Sequence, residues 1–486
     1  MELPKIIQGG MGVAISDWRL ANTVAREGHL GVVSGTGIVI VLVARLMKGD
    51  PGGHVRRALA HFPDQEIAQE IIKTYYVEGG IPDDQPFKSV TMWSLNPPKK
   101  LNQITVVANF VEVWLAKEGH QNPVGINLLE KVQLPNLASL YGAMLADVDF
   151  VIMGAGVPMQ IPGALDKFVH HQAADYRVDV IGATQEDDYR IKFDPQEVFP
   201  GLAEKVGPLK RPMFLPIISS FVLAQALVKR ANGRIDGFVI ETPIAGGHNA
   251  PPRGKYEVNE HGEPIYTEKD EVDLEKIKKL GLPFWLAGGY GDPNMFRQAL
   301  ELGAAGIQVG TAFAYCNESG MEPSLKQRII DKVLAGEIVV RTNALASPTG
   351  FPFKTVMLEG TVADPAVYAA RQRICDYGFL RHLVKGENGK VIYRCPAEPV
   401  DHYVKKGGRE EDTVGRTCLC NNLGATAGFG QRRKGYVEPP SVTSGNDLVN
   451  IAKFIKPGQR SYSAKDVIEY LMQGIRVDTT AIPEPN

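Results

Sequence analysis

Residues 283–313 read PFWLAGGYGDPNMFRQALELGAAGIQVGTAF. The apolar run at 283–287 ends in Gly288-Gly289. Asp292 followed by Pro293 is a helix start: the carboxylate caps the first free N–H groups, and proline needs no donor at the first helical position. Met295, Ala299, Leu300 and Leu302 give that helix an apolar face, and Gly303 stops it. Residues 307–309 then form a second buried strand, ended by Gly310-Thr311. The stretch therefore predicts strand, glycine turn, helix, strand, glycine turn. Backbone N–H groups at two such turns side by side make a phosphate site, and glycine removes the side chain that would hold a phosphate off the backbone. The competing reading is a pair of tight turns in some other α/β sheet; the phosphate reading is the one carried forward.

The same alternation runs back through the chain. KIIQGGMG at 5–12 is a strand entering glycines, 17–27 has a helical pattern stopped by Gly28, and LGVVS at 30–34 is a second strand followed by Gly35-Thr36-Gly37. Strand, helix, strand at this spacing is a parallel βαβ unit. Further strands are predicted at 124–129, 150–153, 214–218 and 237–241. With 283–287 and 307–309 they make eight, most of them followed by helical segments. The expected fold is an α/β (β/α)8 TIM barrel, with the two glycine turns closing its last two strands. Residues 50–123 are too long for a simple crossover and carry helical patterns at 63–76 and 102–118, so an inserted helical segment is expected there, covering a cofactor or forming a dimer contact. Residues 176–194 alternate and predict a hairpin turning near 185–188. After Val340 the pattern changes: RTNALASPTGFPFK at 341–354 is rich in turn formers. The chain divides into a barrel, 1–340, and a loop-rich C-terminal extension, 341–486, too rich in apolar and aromatic residues to be disordered.

Composition narrows the function. A net charge of −2 over 486 residues gives no bulk attraction to nucleic acid or acidic lipid. The most apolar window, IVIVLVARLM at 38–47, is too short to span a bilayer and carries Arg45; it predicts a buried helix or strand, with no membrane role. The first residues lack a signal-peptide pattern. Five cysteines in so long a chain point to the cytoplasm and to thiols or metal ligands, not to disulfides.

Two constellations carry chemistry. AGGHN at 245–249 follows the sixth strand, at the end where barrel active sites are built. Gly246 and Gly247 let the backbone approach a ligand, and His248 is presented as a base or hydrogen-bond donor. Glu241, just before this loop, reads as a strand-end carboxylate bonded to backbone in preference to a second acid/base. Cys375, Cys395, Cys418 and Cys420, the last two in a C-x-C pair, are four thiols able in principle to complete zinc or an iron–sulfur cluster; separate buried thiols are the alternative. Residues 431–434, QRRK, read as a solvated basic turn.

IIQGGMG at 6–12, GINLL at 125–129, AGGHN at 245–249, LAGGYGDP at 286–293 and GIQVGTAF at 306–313 together resemble the flavin motifs of the nitronate monooxygenases, once called 2-nitropropane dioxygenases. The related enoyl-acyl carrier protein reductase II enzymes share these motifs. The resemblance runs in order through most of the first 320 residues. It implies an FMN-binding barrel and an FMN-dependent oxidoreductase. By resemblance, Gly288, Gly289, Gly310 and Thr311 would hold the FMN phosphate. Gly10 and Met11 would lie against the flavin ring, Asn127 would face it, and His248 is the expected active-site histidine. The implied chemistry is oxidation of a nitronate or similar small carbanion-like substrate. The alternatives are an NAD(P)H-dependent enoyl-thioester reductase, and a non-catalytic flavin-binding subunit of a larger assembly. The chain departs from the family pattern at 241–244, where Glu-Thr-Pro-Ile replaces Gln-Gly-x-Glu, and at 249–250, where Asn-Ala replaces Arg-Gly. No basic residue follows the fifth strand at the place where some members use one for the flavin. These departures bear on the substrate more than on the cofactor.

Overall fold

The protein is described from a computed structural model that covers residues 2–433 and 435–475. Eight short apolar runs become parallel neighbours in one sheet: β1 (Ile6–Gln8), β2 (Gly31–Ser34), β3 (Val124–Leu129), β4 (Phe150–Gly154), β5 (Met213–Ile218), β6 (Phe238–Glu241), β7 (Phe284–Ala287) and β8 (Gly306–Val309). Each pairs with the next, and β1 pairs with β8, Ile6 opposite Ile307. The ring closes between β1 and β2. There the Gln8 N–H donates to the Leu30 carbonyl at 2.9 Å, the Leu30 N–H to that of Ile6 at 3.0 Å, and the Gln8 side-chain carbonyl accepts the Val32 N–H at 3.0 Å. A side-chain amide thus continues the ladder where the strands run out. The sheet is a (β/α)8 barrel, as the alternation of strand and helix predicts.

Period-two alternation sorts the strand residues into two layers. Ile7, Val32, Phe150, Ile152, Leu215, Val239 and Trp285 form one apolar cluster that fills the barrel. Ile6, Val33, Val151, Phe214, Phe238 and Phe284 point the other way into the larger cluster beneath the helices. Trp285 is fully buried and its indole N–H reaches the Pro4 carbonyl at 2.7 Å, so the largest side chain in the barrel leaves no unpaired donor. The predicted helix start at Asp292 is present: its carboxylate accepts the Asn294 N–H at 2.9 Å, with Pro293 first in the helix Pro293–Glu301.

Between β2 and β3 lie the helices Ile38–Met47, His54–Leu59, Gln65–Tyr75 and Lys99–Lys117. The last packs against Trp18–Arg26 and Asn136–Leu145, its neighbours in the helix ring, and the others cover its outer side. That double cover explains why its residues are buried nearly all round. Residues 38–47 are helix, and Arg45 is not an orphan there. Its guanidinium meets Glu112 at 2.6 Å and Asp17 at 3.2 Å, and Glu112 also accepts the Trp18 N–H at 2.7 Å. Among the described residues no helix is long and apolar enough to cross a membrane.

The predicted hairpin is Ala174–Arg177 against Arg190–Phe193. Its tip strand, Val180–Ile181, pairs in parallel with His382–Lys385, which itself pairs with Val391–Arg394. The extension is therefore joined to the barrel's own insertion through a shared sheet. The basic turn expected at 431–434 is not a solvated one where it is described. The Gln431 amide is buried and exchanges hydrogen bonds with the Phe87 backbone at 3.0 and 3.1 Å, while Arg432 pairs with Asp83 and Arg433 with Asp376. Lys434 lies outside the described residues.

Candidate active site

At the C-terminal ends of the strands is a cavity of about 280 Å³. Gly10, Met11, Asn127, Gly246, Gly247, His248, Gly288, Gly289, Gly310 and Thr311 all line it, so residues chosen from five separate motifs converge on one space. About a quarter of the wall comes from the extension. Phe353, Phe379, Leu380, Leu419, Cys420 and residues 441, 443–445 and 447 of the extension close the side opposite the barrel. The extension does more than pack on the barrel; it completes the cavity.

One end of the cavity is a cup of backbone. Gly288 and Gly289 sit at φ +86° and +84°, the left-handed region that glycine enters without strain. A Cβ on Gly288 would come within 2.3 Å of Thr242 Oγ1, so glycine is required there for space as well. The N–H groups of Gly289, Tyr290 and Gly291 after β7, and of Thr311 after β8, donate to no backbone group among the described residues. Buried or half-buried N–H groups left free in one concave turn pair call for an acceptor.

The extension lays residues 443–447 across this cup. The Gly247 N–H donates to Thr443 Oγ1 at 2.9 Å, the Gly445 N–H to Thr311 Oγ1 at 3.0 Å, and the Asn446 N–H to the Ile244 carbonyl at 3.0 Å. Asp447, next in sequence, faces the same cavity, and burial raises its carboxyl above the usual range. Met11 and the Asn127 and Gln308 amides line the same cavity, with Met11 Sδ close to Gly310; Gln308 Oε1 is buried without a partner among the described residues. Free backbone donors together with spare amide groups in one cavity suit a phosphate joined to a flat heteroaromatic ring. The acids on the wall, Glu241 and Asp447, are both shifted by burial towards their neutral forms, which lessens their opposition to an anion.

His248 is held from the extension side. Its Nε2 lies 2.6 Å from Ser347 Oγ, its ring packs edge-on against Phe353 at 4.9 Å, and its backbone forms a β-bridge with Phe353. Burial, with help from the charge of Lys131, pushes its pKa down to about 3. The imidazole is neutral throughout the physiological range. Lys131 follows β3; its Nζ is buried with no hydrogen-bond partner and sits over the Phe351 ring, and desolvation lowers its pKa to about 7.

Glu241 corrects the reading of the sequence. Its carboxyl makes no hydrogen bond and no ion pair among the described residues, to backbone or to side chain, and it lines the cavity. Desolvation alone lifts its pKa to about 8.

The cysteine expectation is also corrected. Among the described residues no group of three or more His, Cys, Asp or Glu side chains is arranged to hold a metal ion. Cys375, Cys395, Cys418 and Cys420 are free thiols. Burial first, and then the charge of neighbouring thiols, raises Cys395 and Cys418 well above the ordinary thiol range and Cys420 to about 12. Cys420 packs among Leu129, Leu380, Leu419 and Leu423, and is the one of the four on the cavity wall. They behave as small apolar side chains.

Ser347, Phe353 and Asp447 are the site residues that the sequence reading passed over. Residues 444–447, Ser-Gly-Asn-Asp, carry the turn composition that marked the other glycine loops, and that is the signal that was there to read.

Residues 176–345 match the family model described as nitronate monooxygenase. A probable nitronate monooxygenase of Bacillus subtilis is 32% identical over 110 residues, 22% of this chain and 29% of that protein. A nitronate monooxygenase of Pseudomonas aeruginosa is 33% identical over 131 residues, 26% of this chain and 34% of that protein. The chain thus spans about a third of the length of the curated relatives it matches, 29% and 34%. Among solved structures, FabK from Thermotoga maritima aligns over 98% of this chain and 93% of its own with 16% identity and a TM-score of 0.44, too loose a superposition to carry residue roles.

Proposed function

We propose that this relative of the nitronate monooxygenases is an FMN-dependent oxidoreductase that oxidises a nitronate or a similar small carbanion-like substrate. The observation that carries the reading is the cup of unpaired N–H groups at Gly289, Tyr290, Gly291 and Thr311, in one cavity with Met11, Asn127 and His248. The N–H groups of the two turns would hold the phosphate, with Gly445 and Thr443 keeping the third side of the cup in place. Met11 and the backbone at Gly10 would lie against the ring, and the Asn127 and Gln308 amides would be available to its polar groups. When bound, FMN supplies the capacity to take electrons from the substrate and pass them to oxygen.

The chain's own residues do the rest. His248 Nε2 is committed to Ser347, which leaves Nδ1 for the substrate. Being neutral, the imidazole orients a nitro group by hydrogen bonding without adding a charge. Phe353, Phe379 and Leu380 exclude water from the reacting end.

The test is anaerobic. Holoenzyme is mixed separately with ethylnitronate, NADH and NADPH while the flavin absorbance is followed. Bleaching by the nitronate alone is the expected result. Bleaching only by a nicotinamide would replace this reading with that of an enoyl-thioester reductase, and bleaching by none of the three with that of a flavin-binding subunit.

A further inference from the structure

We infer that Glu241 is the proton-transfer residue of this site, the base that removes the α-proton of a neutral nitroalkane. The inference rests on the nitronate reading; what it adds is the residue that handles the proton.

The placement comes first. Glu241 is the last residue of β6, in register with Ala287 of β7, and therefore stands at the rim of the barrel beside Gly288. It lines the cavity shared with His248 and the glycine turns. Strand-end carboxylates ordinarily find a backbone N–H or a cation, and among the described residues this one has neither. A half-buried carboxyl left without a partner at a cavity wall is open to a ligand in that cavity, which points to a use there.

The surroundings set its protonation. The titratable groups on the cavity wall around it are His248 from the loop after its own strand, Tyr290 from the turn after β7, and Asp447 and Cys420 from the extension. On the β5 side the wall is Ile217. None of these is a cation at neutral pH, and Lys131 is felt by His248, not by Glu241. Nothing holds the carboxylate ionised, so it keeps its proton up to about pH 8. His248 is the poorer base: its conjugate acid loses its proton near pH 3, and its Nε2 is occupied by Ser347.

The step balances without an oxidant. A Glu241 oxygen takes the α-proton. The electron pair of the broken C–H bond becomes the C=N double bond of the nitronate, and the N=O pair moves onto oxygen. No electron leaves the substrate, so the step is separable from flavin reduction.

That separation supplies the experiment. Holoenzyme, anaerobic in D2O, is incubated with nitroethane, and loss of the methylene proton signal is followed by NMR against a protein-free control. The wild type is expected to accelerate exchange, the acceleration rising with pH through the region of pH 8. Glu241→Gln is expected to lose at least about tenfold of the acceleration, within the range general base catalysis contributes, while keeping the flavin spectrum. Turnover of nitroethane should fall in that variant by more than turnover of ethylnitronate. A wild type no faster than the control, or a Glu241→Gln protein that exchanges as fast as wild type, would overturn the assignment. Should Glu241→Gln not hold flavin, Glu241→Ala with added formate or acetate decides: rescue of exchange by the small carboxylate supports a base at this position, and its absence in a folded protein refutes one. Failure of ethylnitronate to bleach the flavin counts against the oxidase reading alone, because exchange needs no flavin reduction.

Discussion

His248 Nε2 and Ser347 Oγ stand 2.6 Å apart, although 99 residues separate them in the chain. The histidine belongs to a barrel loop and the serine to the extension, so the orientation of the imidazole is fixed from outside the barrel. Ser347→Ala should leave the fold and the flavin spectrum intact and lower turnover roughly fivefold, the worth of about 1 kcal/mol of hydrogen bonding. His248→Ala should cost roughly a hundredfold in turnover, the worth of one oriented hydrogen-bond donor at the reacting centre, again with flavin retained. Steady-state rates beside the visible spectrum of each variant check both. Loss of flavin from His248→Ala, with the bound fraction still fully active, would show that the histidine holds the cofactor and has no part in the reaction.

Stability should depend on pH with two opposing slopes. His248 has its pKa lowered from 6.5 to about 3, so between these values the unfolded chain binds more protons; this contribution is complete above 6.5 and is lost as the pH falls towards 3. Glu241 has its pKa raised from 4.5 to about 8, so its contribution is complete below 4.5 and is lost as the pH rises towards 8. Glu241→Gln removes the second slope. Its unfolding midpoint, relative to wild type, should climb between pH 5 and pH 8. A constant difference across that range would show that the carboxyl is not enclosed.

Two glycines of the cup should respond differently to alanine. At Gly288 the added Cβ meets Thr242 Oγ1 at 2.3 Å and the backbone is left-handed, so Gly288→Ala should cost about 2 kcal/mol of stability and release flavin. At Gly310 the nearest atom is Met11 Sδ at 3.7 Å and no left-handed φ is involved, so Gly310→Ala should change stability by less than about 0.5 kcal/mol. Urea unfolding and flavin stoichiometry after gel filtration separate the two.

Asp447 shares the cup with the proposed phosphate. Burial raises that carboxyl above the usual carboxylate range, and its ionised form would repel an anion. Asp447→Asn removes that charge and should retain flavin at least as well as the wild type. Flavin content of both proteins after dialysis reads the effect directly.

The barrel was legible because its signals are local. Each strand is a short apolar run with a glycine at one end, and Asp292-Pro293 announces its helix in two letters. The motif residues that come together on one cavity were legible for the same reason: a glycine at the end of a strand is visible without its neighbours. What could not be read is whatever depends on contact across the chain. Nothing near Glu241 says that its carboxyl will find no partner, since that is decided by distant segments that share the cavity wall with it. The cysteine pattern left metal site and buried thiols both open because a count of thiols carries no geometry; burial, with the neighbouring thiols, raises their pKa values and keeps them protonated. Ser347 gave no sign of its role because its partner is a histidine that the sequence places 99 positions away.

The Gly247 backbone is bonded on both sides by the extension: its N–H to Thr443 at 2.9 Å and its carbonyl to the Lys354 N–H at 2.9 Å. The loop that presents the histidine therefore has no independent shape. For anyone recombining such enzymes, the unit of exchange is not the stretch of chain that relatives share. A barrel transplanted without residues 341–447 would arrive with its motifs intact and its histidine unaimed, and a foreign extension would have to reproduce a backbone ladder before it could alter selectivity. Selectivity here is inherited through a seam between segments, and that seam is where a change of substrate has to be engineered.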